Sequence, residues 1–140
     1  MRWVTRHNPH VDRCASIWLI KTFIDREAVF EFISNETPIL KGTIPLTLPG
    51  AEIRPKNGRT TFDALIDKYE IRGPVVAEIQ KIIGDAEQAE DTGVYKLAES
   101  AGVFAILRGL DRTSKSNWEI IDKAIIVMDS LYAELRNHLK

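Results

Sequence analysis

The sequence predicts an α+β protein in which a small mixed β-sheet with a buried helix is followed by a four-helix C-terminal half. Three observations point there. Residues 2–33 read strand, helix, strand; residues 34–60 are extended chain broken by proline and glycine; and everything after Thr60 carries helix-start signals with apolar residues at helical spacing.

Arg2 to Arg6 alternate around Trp3 and Val4 and close at Asn8-Pro9, a short strand ending in a turn. Asp12 suits the N-cap of the helix that follows. From Cys14 to Ile24 the polar residues are only Ser16, Lys21 and Thr22, so this helix must be covered on most sides. The bulky run from Ala28 to Ile33 is a second strand, parallel to the first. Residues 34–50 hold Pro38, Pro45, Pro49, Gly42 and Gly50, which suits a structured loop with an edge strand. Asn57-Gly58 supplies the positive φ angles of a tight hairpin turn.

Thr60-x-x-Asp63 has capping-box spacing and opens the next helix. Gly73-Pro74 starts another, expected to stop at Gly84. A third is expected from about Thr92 to Gly109. The last begins at Ser116-x-x-Glu119 and carries Ile121, Ala124, Ile125, Met128, Leu131, Tyr132 and Leu135 on one face. No repeat or composition break divides the chain, so residues 1–140 are expected to form one domain.

With 44% hydrophobic and 28% charged residues the composition is that of a globular chain. Nineteen Lys and Arg against twenty Asp and Glu give no broad positive field, so neither nucleic acid nor an acidic membrane surface is an expected partner. Cys14 is the only cysteine, which rules out an intrachain disulfide. With no signal-peptide pattern and no long apolar run, the expected location is the cytoplasm. A protein partner or homo-oligomer stays open.

Arg2, Arg6, His7, His10 and Arg13 gather at or before the first turn of the buried helix, where free N–H groups add positive potential. A tetrahedral oxyanion fits such a place, held by backbone amides and an arginine fork. Asp12 competes for those amides unless it turns to orient Arg13. A capped helix with solvated cations is the simpler account of the same pattern. His7-x-x-His10-x-Asp12 has metal-ligand chemistry but no diagnostic spacing, and no metal or cofactor is assigned. Cys14 is either a reactive thiol of a first helical turn or simply buried. Glu52, Asp63, Asp85 and Asp129 are scattered carboxylates, and their convergence with Asp12 would mark an alternative, enzymatic pocket. Phosphate-loop, serine-hydrolase, thioredoxin and metalloprotease signatures are absent from the sequence.

The stretch "WVTRHNPHVDRCASIWLIKTFID" resembles the start of the C-terminal domain of ChrB-type chromate-resistance proteins. Trp3, Thr5, Arg6, Pro9, Val11, Asp12, Arg13, Ala15, Trp18, Leu19, Ile20, Phe23, Ile24 and Asp25 carry the likeness. Weaker similarity continues through Pro49-Gly50, Glu52, Thr61-Phe62-Asp63, Leu65, Gly84-Asp85, Ala101-Gly102 and Asp129 to Ala133. The chain departs from the family in having Ser16 and Ile17 where a cysteine and a proline often precede the tryptophan. It also reads "IRPKNG" where a histidine is frequent. The regulators of that family carry a further N-terminal half, the expected seat of DNA contacts. The resemblance implies a part in chromate resistance as an oxyanion-responsive or accessory domain. Arg6, His10 and Arg13 would hold the small inorganic oxyanion, Asp12 would orient an arginine and Trp18 would pack beneath. A redox or hydrolytic enzyme with a carboxylate-lined pocket, metal-dependent or not, is the alternative.

Overall fold

The computed structural model describes residues 1–139; Lys140, the last residue of the expected domain, lies outside them. The elements run β1 (Arg2–Arg6), α1 (Val11–Leu19) with a π-helical extension (Ile20–Ile24), β2 (Val29–Ile33), β3 (Ile44–Pro45), α2 (Thr61–Tyr69), α3 (Pro74–Thr92), α4 (Ala98–Thr113) and α5 (Asn117–His138). This is the α+β arrangement the sequence implies, with four helices in its C-terminal part.

The sheet has the order β2-β1-β3, and both pairings are parallel. Trp3 sits opposite Phe30 on one side and Ile44 on the other. The expected mixed sheet is therefore corrected to a parallel one. Asn57 and Gly58 do take positive φ, at 54° and 76°, but their turn closes a single antiparallel bridge, Lys56 to Arg59. Pro55 on one side and the cap residue Thr60 on the other leave no room for a longer hairpin. β3 is two residues long and ends in a proline, as suits an edge.

α1 is the centre of the molecule. It packs against all four later helices, and of its nine residues every one but Arg13 is buried. Around it lie Trp3, Phe62, Leu65, Ile79, Ile82, Ile83, Leu107 and Met128, all essentially without exposure. A fully buried aliphatic or aromatic side chain stabilises by about 1.5–3 kcal/mol, so this single helix organises most of the hydrophobic gain. Both buried indoles keep a polar partner: Trp3 Nε1 donates to Asp25 Oδ2 at 3.0 Å, and Trp18 Nε1 donates to Asp129 Oδ1 at 2.8 Å.

Two helix bounds differ from the sequence expectation. α3 does not stop at Gly84 but continues through it to Thr92, and Gly93, at φ 74°, supplies the left-handed cap instead. α4 accordingly starts at Ala98. The buried residues Ala86 and Ala89 continue the apolar stripe of Ile79, Ile82 and Ile83, which outweighs the local cost of an internal glycine.

Candidate functional site

Asp12 is not the N-cap of its own helix. His10 holds that position without a side-chain bond, and Asp12, one residue into α1, reaches across to the start of α2. Its Oδ2 accepts from the Thr61 amide at 2.8 Å and its Oδ1 from the Phe62 amide at 3.0 Å, with Ser16 Oγ donating at 3.3 Å. The carboxylate thus meets the positive end of a neighbouring helix. Burial pushes its pKa up, opposed by the Thr61 and Phe62 amides and by the Ser16 and Thr61 hydroxyls. α2 is doubly secured, because Thr60 and Asp63 also form the predicted capping box, at 3.0 and 2.9 Å.

Arg13 has a similar structural commitment. Nη1 donates to the Arg6 carbonyl at 2.6 Å, and Nη2 donates to the His7 and Asn8 carbonyls at 3.2 and 3.0 Å. The guanidinium therefore fixes the end of β1 and the turn after it. Burial, then the neighbouring Arg6 charge, lowers its pKa to about 10, so it stays cationic at neutral pH. The turn is held from the far side as well, for Asn117 at the start of α5 accepts from the Asn8 amide at 2.8 Å and contacts His7 Nδ1 at 2.9 Å. His10 Nε2 lies 3.1 Å from Asp111 Oδ2 of α4. Arg2, at the other end of β1, pairs with Glu31.

Arg6, His10 and Arg13 do come together, along a small cleft of about 180 Å³ completed by Val11, Asp12, Thr47, Pro55, Glu87 and Glu90. A larger lobe of about 390 Å³ shares Asp12, Pro55, Glu87 and Glu90 and opens between the Lys56–Thr60 turn and α3, with Gly84 in its lining. Arg6 also lines a third opening on the other side of Pro55, together with Thr47 and Arg54. Its Nε is buried and has no hydrogen-bond partner among the described residues.

The other singled-out residues lie elsewhere. Glu52 is exposed and pairs with Lys68 at 2.9 Å. Asp63 caps α2 and accepts from Gln80 at 2.6 Å. Asp85, in α3, accepts the Lys96 and Leu97 amides at the start of α4 at 2.8 to 3.0 Å and the Gln88 amide at 2.9 Å. The Ser100 hydroxyl beside it, then those amides and Gln88, hold its pKa down to about 2 against the effect of burial. None of these three shares the two lobes with Asp12. Trp18 is buried beneath α5, with Phe23 edge-on to its ring at 84° and Tyr132 tilted against it at 52°. Cys14 donates to the Pro9 carbonyl at 3.4 Å, and burial drives its thiol up to about 12, which leaves it protonated and unreactive. Among the described residues no group of three or more His, Cys, Asp or Glu is placed to hold a metal ion.

Glu87 escaped the sequence reading. Its Oε1 accepts from the Asp12 amide at 3.0 Å, and it lines both lobes. Burial, then the Asp12 and Glu90 charges, pushes its pKa up to about 7, against the Asp12 amide and Arg108. Glu90 is itself neutralised by Arg108 at 2.9 Å. The available signal was periodicity: Glu87 falls four residues after Ile83 and eight after Ile79, on the face that is otherwise core. It went unseen because the helix was expected to end at Gly84.

The ChrB C-terminal domain profile matches residues 3–135. The chain belongs to the ChrB C-terminal domain family. That family is linked to chromate resistance. Protein ChrB of Cupriavidus metallidurans (strain ATCC 43123 / DSM 2839 / NBRC 102507 / CH34) is 28% identical over 142 residues, covering 99% of this chain and 42% of that protein. The chain thus spans less than half the length of the curated relative it matches. No solved structure matches it. Among the described residues no helix is long and apolar enough to cross a membrane.

Proposed function

We propose that this chain is an oxyanion-binding domain serving chromate resistance in the cytoplasm, with the anion held in the smaller lobe by Arg6, Arg13 and His10. The observation that carries the proposal is Arg6. Its guanidinium lines two openings, enters no ion pair among the described residues, and leaves a buried Nε without an acceptor. An uncompensated arginine at a cleft wall is a ready donor for a tetrahedral anion. Arg13 supports it chiefly by fixing the turn that carries His10 and by adding positive potential. Asp12 leaves the anion's place free, because its oxygens are spent on α2.

Thermal unfolding against chromate, sulfate and phosphate at fixed ionic strength, without thiol reductants, tests this. A saturable rise of midpoint for chromate is expected, equivalent to about 2.7 kcal/mol at a hundred times the dissociation constant. Arg6→Gln should remove it with the fold intact. A shift that is unsaturable and equal for all three anions would end the proposal.

A further inference from the structure

We infer that Glu87 is the specificity determinant of this cleft: it shares one proton with the bound oxyanion, so that protonatable oxyanions such as chromate are preferred over sulfate. This rests on the oxyanion reading of Arg6, Arg13 and His10, and names what that reading leaves open.

The geometry isolates Glu87 among the acidic groups of the cleft. From α1, Asp12 faces it, but that carboxylate is compensated by the Thr61 and Phe62 amides and Ser16. From its own helix, Glu90 is paired with Arg108 of α4 at 2.9 Å, and Asp91 lines only the larger lobe. From the loop, Lys56 and Arg59 line that same lobe, with Arg59 bound to Asp67 at 2.8 Å. Arg6, His10 and Arg13 face it across the smaller lobe, with His10 turned to Asp111 at 3.1 Å. Of the acidic groups lining the smaller lobe, Glu87 enters no ion pair among the described residues, and it meets the first turn of α1 through one oxygen only. Its one bond within the described residues is to the Asp12 amide through Oε1, which holds the side chain at the junction of the two lobes and leaves Oε2 unbonded.

An ionised carboxylate there would repel a dianion. One proton placed between the two turns that repulsion into a charge-assisted O–H···O bond. The raised pKa of Glu87 makes that proton cheap to supply near neutrality. Chromate and hydrogen phosphate are conjugate bases of weak acids and share a proton readily; sulfate, whose conjugate acid hydrogensulfate is far stronger, accepts such a bond more weakly. Shape and charge, which sulfate matches, then no longer decide binding. The balance is simple: the one shared proton is either already on Glu87 or enters from solvent with the anion, and no bond between heavy atoms changes.

The test is calorimetric titration of the wild type, Glu87→Gln and Arg6→Gln with chromate and with sulfate, from pH 7 to pH 9, in two buffers of different ionisation enthalpy. The wild type should prefer chromate, take up about half a proton per anion at about pH 7 and towards one by about pH 9, and lose affinity by up to about tenfold per pH unit above neutrality. Glu87→Gln should still bind, with no proton uptake through this window, a flat pH profile and a chromate-to-sulfate preference reduced at least tenfold. Because His10 is present in both proteins, proton uptake due to it would persist in the variant. A wild type that binds chromate with no proton uptake, or a Glu87→Gln protein that keeps the wild-type profile, overturns the role of Glu87 and leaves the oxyanion site standing. No binding of either anion to the wild type at any pH overturns both, and Arg6→Gln should reproduce that result.

Discussion

Replacing Asp12 by alanine strips the start of α2 of an acceptor that comes from a different helix. The Thr61 and Phe62 amides lose their partner, and so does Ser16 Oγ. A buried donor left unsatisfied costs about 1–3 kcal/mol. Asp12 borders both lobes of the cleft, so water entering there recovers part of the loss, and a total of about 3 kcal/mol is expected for the two amides. Unfolding entropy of about 2.1 cal/mol/K per residue gives a chain of 140 residues about 0.3 kcal/mol/K, which converts that loss to a midpoint about 10 °C lower. Asp12→Asn keeps one acceptor oxygen but places an amide donor against the second N–H, and should fall between alanine and wild type. Thermal and urea denaturation followed by far-UV circular dichroism give the free energies, and amide exchange at Thr61 and Phe62 reports the cap directly. An alanine variant within about 0.5 kcal/mol of wild type, the range of ordinary surface changes, with both amides still protected, would refute the cross-helix cap.

Glu87→Gln should change stability in a pH-dependent way. A carboxyl raised to about 7 in the folded state gives full stability below its unfolded pKa of about 4.3 and loses it as pH rises through 7. The variant should match wild type at pH 4 and exceed it by about 1–2 kcal/mol at pH 8, after allowing for the partial exposure of the group; equal urea midpoints at pH 8 would contradict this. Asp85 has the opposite sign. Its pKa of about 2 makes its contribution present above an unfolded value of about 3.9 and lost as pH falls towards 2. Wild type should therefore outlast Asp85→Asn at pH 6, and the difference should vanish by pH 2, as acid titration of helicity will show. Gly84→Ala should stabilise by about 0.5–1 kcal/mol, because the position is helical and an added Cβ meets nothing within 4 Å. A lower thermal midpoint for that variant would show that the glycine is required for something other than helix continuity.

Local chemistry made most of the fold legible. Thr60-x-x-Asp63, Ser116, Gly73-Pro74 and Asn57-Gly58 each act within a few residues, and each does in the structure what its type dictates. The mostly apolar run from Cys14 to Leu19 required burial on most sides, and four helices provide it. What stayed hidden was where polar side chains reach across elements. Asp12 has the right chemistry for a cap and serves the wrong helix by local reckoning; Arg13 spends its fork on carbonyls that no spacing rule connects to it. Gly84 misled for a physical reason: glycine disfavours a helix locally, and here tertiary packing of Ile82, Ile83 and Ala86 decides otherwise. Losing that last stretch of α3 also concealed Glu87, and with it the acidic wall of the cleft.

The bonds that complete α1 span long stretches of chain. Asp12 waits for Thr61, 49 residues on; His10 for Asp111, 101 on; Trp18 for Asp129, 111 on. During synthesis at about 5–20 residues per second, the first helix leaves the ribosome several seconds before its last partner exists. Through that interval its indole has only water to satisfy it, and the side of α1 that meets α5 lies open. Packing of α1 is therefore completed only once α5 has been made, and a ribosome stalled before α5 displays the apolar side of α1 that α5 covers.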